Sequence, residues 1–136
     1  MKAELLGPKV EHVGVAIIQS INEEEEKEYT VYLINMRKDI MEGIIVASTG
    51  YGENPETGEK IKTSTLRHGI EVLLPSEIAK IEPIIPEVFG LSNEFWVSFW
   101  AEDILYDKRF VFPAESIIEE NFKYLEQFKR KGIMLR

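Results

Sequence analysis

The sequence predicts a mainly β fold: an antiparallel β-sandwich followed by one C-terminal amphipathic α-helix. Three observations carry this expectation. Several short segments alternate apolar and polar residues with period two, the signature of half-buried strands. Glycine- and proline-rich turns separate them, with no alternation of strand and helix along the chain. A single stretch near the end repeats its apolar residues at helical spacing.

The first strand reads over Val10 to Gln19, with Val13, Val15 and Ile17 on one face. Tyr29 to Asn35 alternates again, setting Tyr29, Val31 and Leu33 against Thr30, Tyr32 and Ile34. The acidic link Asn22 to Glu28 between the two predicts an antiparallel hairpin. Gly43 to Tyr51 is a third strand, rich in Ile and Val, and Gly50 to Gly58 is a loop with three glycines and a proline. Lys60 to Leu66 reads as a short polar strand, Glu71 to Leu74 as another apolar piece, and Ile78 and Ile81 as part of a strand extending up to Pro83. Phe95 to Trp100 carries large aromatics on both faces, which predicts a central strand covered twice. A turn at Ala101-Glu102-Asp103 returns the chain as Ile104 to Phe112. Ser116 and Glu119 then have the spacing of a capping box. Ile118, Phe122, Leu125 and Phe128 form one helical stripe, and Gly132 falls where a helix would stop.

The 136 residues make one domain: a lead-in over 1–9, a sandwich over 10–113 and a helix over 115–131. There is no cysteine, which excludes disulfides, thiolate metal sites and a cysteine nucleophile. The formal charge is -8, yet residues 121–136 sum to +4 and the rest to -12. An acidic body repels a phosphate backbone, which argues against duplex nucleic acid. The basic residues Lys129, Arg130 and Lys131 fit the last turn of a helix complementing its own dipole. A salt-sensitive nucleic-acid contact through them is the weaker alternative. The longest apolar run, Val13 to Ile18, is far below the roughly 20 residues of a membrane helix. No secretory pattern opens the sequence, so the expected location is cytoplasmic.

Two segments resemble the immunoglobulin-like modules of bacteria: the strand end Leu33-Ile34-Asn35 and the turn Leu74-Pro75-Ser76-Glu77, where that pattern carries a glycine at the position of Ser76. The chain also resembles, over nearly its full length, a group of small bacterial proteins with no assigned activity. The similar segments are Val31–Asn35, Thr63–His68, Asn93–Phe99 and Leu105–Phe110. The first resemblance implies an immunoglobulin-like sandwich. The second implies no particular activity.

No catalytic, cofactor or nucleotide-binding motif occurs. The most site-like stretch is Thr63 to Gly69, where Thr65, Arg67 and His68 offer a hydroxyl, a guanidinium and an imidazole suited to a small anionic ligand. A regular strand would send Thr65 and Arg67 to one face and His68 to the other. His12 and His68, the two histidines, have no diagnostic metal spacing, and the run Glu23–Glu26 lacks the interleaving of a calcium loop. Trp96 and Trp100 are core if a helix covers their face and a partner surface if nothing does. The expectation is therefore a non-enzymatic protein-interaction module, binding a protein partner or itself, with Trp96 and Trp100 at the interface and no cofactor. The alternative is a small-ligand or enzymatic domain built on Thr65, Arg67 and His68.

Overall fold

The structure, a computed structural model, describes residues 8–136. Most of the lead-in expected over 1–9 lies outside them. In chain order the strands are β1 (Val13–Ile21), β2 (Lys27–Asn35), β3 (Met41–Glu53), β4 (Lys60–Lys62), β5 (Leu66–Leu73), β6 (Ile78–Pro83), β7 (Ser92–Ala101), β8 (Ile104–Phe112), β9 (Lys123–Leu125) and β10 (Arg130–Leu135). The first sheet runs β6-β2-β1-β10-β9, and the second β4-β3-β7-β8, with β5 pairing along β3 beside β4. Every pairing is antiparallel.

The alternating residues read from the sequence face inward. Val13, Val15, Ile17, Val31 and Leu33 from the first sheet meet Val46, Phe95, Val97, Phe99, Phe110 and Phe112 from the second in one buried cluster. Both hairpins form. The β1–β2 link is closed by Asn22, whose Oδ1 accepts from the backbone N–H of Glu24 and of Glu26, each at 2.9 Å. The β7–β8 turn sets Glu102 and Asp103 at φ 48° and 64°, the pair of left-handed residues that a tight hairpin requires. The polar strand expected over 60–66 is instead broken. β4 ends at Lys62, and Thr63 keeps the chain beside β3 by exchanging bonds with Gly50, its N–H donating to the Gly50 carbonyl and its Oγ1 accepting from the Gly50 N–H, both at 2.8 Å.

The helix expected over 115–131 is absent, and the described residues contain no α-helix. The segment is a 3-10 turn, Glu119–Asn121, followed by the β9–β10 hairpin. Its apolar residues serve two layers rather than one stripe. Phe122 packs inward against Tyr29, with ring centroids 5.6 Å apart. Phe128 packs against Tyr32 at 5.3 Å, on the opposite face of β2. Ile118 stays exposed. Ser116 does not cap a helix: its Oγ donates to the Pro113 carbonyl at 2.6 Å, and Glu119 pairs with Lys27. Gly132 is no helix stop either. It is buried within β10, opposite Ile18, where a Cβ would stand 2.6 Å from Ile18 Cδ1 and 2.8 Å from the Ile17 carbonyl oxygen. On the outer face of the first sheet Ala16, Ile18 and Ile34 are buried as well. Tertiary packing on both sides of one sheet has overridden a local helical pattern.

Asn35 ties the two sheets together. It is fully buried; its Nδ2 donates to the carbonyls of Asp39 (3.0 Å) and Leu73 (2.9 Å), and its Oδ1 accepts from the Arg37 N–H at 2.8 Å. Its backbone bonds the turn after β5, donating to the Glu77 carbonyl and accepting from the Ser76 N–H. Ser76 sits at φ 71°, a left-handed conformation that glycine adopts more readily. The two segments that carry the immunoglobulin-like resemblance are therefore in direct contact.

Candidate functional site

Strand β7 lies between β3 and β8, and among the described residues only its inner face is covered by the other sheet. On the outer face the ladder aligns Ala47, Trp96 and Arg109 in one row, and Glu42, Trp100 and Leu105 in another. Arg67 extends the first row and Val72 the second. The row between them holds Ile45, Ser98 and Asp107. Trp96 is 43% exposed and Trp100 46%, and Ile45, Val72 and Leu105 are about half exposed as well. Four residues along a strand put the two indoles ~13 Å apart on one face. The Arg109 guanidinium stands 5.7 Å from the Trp96 ring centre, and its Nε donates to Glu94 Oε1 at 3.0 Å, which orients the charge over the ring. Beside Trp100, the register of β3 shifts between Glu42 and Ile45, and Gly43 takes φ +52°, leaving the indole uncrowded.

The anion-binding candidates do not meet. Arg67 lies opposite Ala47, on the outer face. Thr65, ahead of β5, shares a hydroxyl hydrogen bond of 2.8 Å with Thr49. His68 lies opposite Val46, on the inner face, and its Nε2 is 2.7 Å from Glu82 Oε1.

Glu82 carries no motif in the sequence. A regular β6 with Ala79 and Ile81 inward would turn Glu82 outward. The β2–β6 register shifts between Val31 and Tyr32, so Glu82 instead lies opposite the core residue Val31. Its Oε1 accepts from Ser48 Oγ at 2.7 Å as well as meeting His68. Serine, histidine and a carboxylate are thus together, but the carboxylate is in the middle. A nucleophilic triad needs the imidazole between the other two, in reach of the hydroxyl proton. Glu82 also lines a cleft of about 360 Å³ between the sheets, whose walls include Phe95, Ile84, Ile85 and Val88. Neither Arg67 nor any other cationic residue lines it.

A second polar group stands at the end of the sandwich that carries the β7–β8 turn. Arg37 donates from Nε and Nη2 to the two Asp39 oxygens at 2.7 and 3.0 Å, and its guanidinium lies 4.6 Å from the Tyr106 ring centre and 5.4 Å from that of Phe99. The bonds from Arg37 hold the Asp39 carboxyl below its ordinary value, and Asp39 raises Arg37 in turn. His12, near Glu11, lines the open depression beside this pair. No group of three or more His, Asp or Glu among the described residues is arranged to hold a metal ion. Lys129, Arg130 and Lys131 belong to the β9–β10 hairpin, not to a helix face, so the helix-dipole account of the basic tail falls with the helix. Among the described residues no helix is long and apolar enough to cross a membrane. Comparison of the chain with protein-family models and with curated proteins finds no match.

Proposed function

We propose that the chain is a non-enzymatic protein-interaction module that associates with a second copy of itself through the outer face of the second sheet. The observation that supports this is the face bearing Trp96 and Trp100, which no other element among the described residues covers. Contiguous exposed apolar surface of this kind marks partner sites, and tryptophan and arginine together are enriched where binding energy concentrates. The aligned rows add Arg67 and Arg109 against Glu42, Glu94 and Asp107. In a chain of net charge -8 these residues set two cations against three anions, so repulsion between two copies at this face is small. A two-fold axis would set this same face of each copy against the other, bringing its cations opposite its anions.

The test is solution mass by light scattering over a concentration series, with tryptophan emission recorded on the same samples. Trp96 and Trp100 are the only tryptophans, so the emission reports on this face alone. A dimer that forms with concentration, with emission moving to the blue, is the expected result. Trp100→Ser should weaken association by at least about tenfold while leaving the fold intact. A monomer at every concentration, with an unmoved spectrum, refutes the proposal.

A further inference from the structure

The cleft between the sheets has the makings of a ligand site separate from the tryptophan face. Its volume of about 360 Å³ falls within the roughly 300–1,000 Å³ of small-molecule pockets. Most of its wall area is apolar, from Phe95, Ile84, Ile85 and Val88 among others, with Ser48, Ser64 and Asn93 among its polar residues. The single charged group lining it is Glu82, whose side chain is only 15% exposed. Both of its hydrogen bonds fall on Oε1, and Oε2 has no partner among the described residues. A largely buried carboxylate with one uncommitted oxygen, in an apolar cleft without a lysine or arginine, favours a cationic group and disfavours an anionic one. The bulge in β6, the edge strand of its sheet, is what turns Glu82 inward toward this cleft.

We propose that this cleft binds a small molecule carrying a protonated amine on an apolar body, the ammonium pairing with Glu82 and the apolar part lying against Phe95, Ile84 and Val88. The ammonium donates to the free Oε2, and the Ser48 hydroxyl keeps the carboxylate oriented. For the anionic ligand that Thr65, Arg67 and His68 suggest, no lysine or arginine lines the cleft.

The experiment titrates the intact protein with three matched probes, 2-phenylethylammonium, 2-phenylethanol and 3-phenylpropionate, following backbone amide shifts by NMR at fixed ionic strength. The ammonium should bind at least about tenfold more tightly than the alcohol, with shifts confined to Ser48–Gly50, Ile84–Val88 and Phe95. The propionate should not bind. Glu82→Gln keeps acceptors for Ser48 and His68 and should remove the preference for the ammonium, whereas Glu94→Gln, on the outer face, and Trp100→Ser should leave it intact. Equal binding of alcohol and ammonium, tighter binding of the propionate, no binding of the ammonium, or an equal loss in Glu94→Gln would each overturn the proposal. The comparison of probes on the unaltered chain stands even if Glu82→Gln fails to fold.

Discussion

Replacing Asn35 tests how the two sheets are joined. In Asn35→Ala three hydrogen bonds vanish: two donated to the carbonyls of Asp39 and Leu73, and one accepted from the Arg37 N–H. Each neutral bond contributes about 1 kcal/mol net, so the loss comes to about 3 kcal/mol, a large part of the 5–15 kcal/mol of a typical domain. The site is fully buried, so water cannot replace the missing partner without opening the structure. In urea denaturation followed by circular dichroism, with a slope near ~2 kcal/mol/M, the midpoint should fall by about 1.5 M. Asn35→Asp sharpens the test. A protonated carboxyl keeps one donor and the acceptor, so the deficit relative to wild type at pH 3 should be only about 1 kcal/mol. An ionised carboxylate would face two carbonyl oxygens, so the folded state raises the pKa of the introduced group above its unfolded value. A raised folded value gives stability that is present below the unfolded pKa and lost as pH rises through the folded one. The deficit should therefore grow to about 3 kcal/mol or more by pH 7. A cost below about 1 kcal/mol for Asn35→Ala, or a pH-independent deficit for Asn35→Asp, would refute the reasoning.

Gly132→Ala should destabilise the chain by about 1–3 kcal/mol, because the added methyl meets the Ile17 carbonyl oxygen at 2.8 Å and that backbone cannot swing aside; thermal unfolding in which the variant matches wild type would contradict this packing. Arg37→Gln should flatten the acid limb of the stability–pH profile. Asp39 has a depressed folded pKa, so its contribution is present above its unfolded value, near 3.8, and is lost as pH falls through the lower folded value; urea titrations between pH 2 and 5 should show this loss in wild type and not in the variant.

Where local pattern and tertiary environment agree, the sequence is a good guide. The inward residues of β1, β2, β7 and β8 alternate in the chain as they do in the core, because each strand has one buried face or a uniform neighbour on that side. The C-terminal stripe misleads for a definite reason. Phe122, Leu125 and Phe128 fit a 3.6-residue period, yet Phe122 and Phe128 pack on opposite sides of β2, and nothing local distinguishes one shared layer from two. The apolar run Ile133-Met134-Leu135 and the strand-like Lys123-Tyr124-Leu125 were the available contrary signals. The exposure of Trp96 and Trp100 depended on that same missing helix. Glu82 has no such signal, since the bulge that leaves Ile81 of β6 without a partner in β2 is a property of strand pairing and not of either strand's composition. For Arg67 and His68, period-two alternation already separated the pair, and the strand keeps them on opposite faces.

The pairing of β1 with both β2 and β10 has a kinetic consequence. Ile21 and Lys27 meet across a connection of about 6 positions, whereas Ile18 and Gly132 are more than 110 apart. Closing a connection roughly nineteen times longer costs about 2.6 kcal/mol more chain entropy. High contact order of this kind slows folding. During synthesis the β1–β2 hairpin can form early, but the centre of its sheet lacks a neighbour until the residues up to Leu135 have been made. Until then β1 presents an unpaired, strongly apolar margin, and that is the interval in which a nascent chain of this fold is most exposed to mispairing with another.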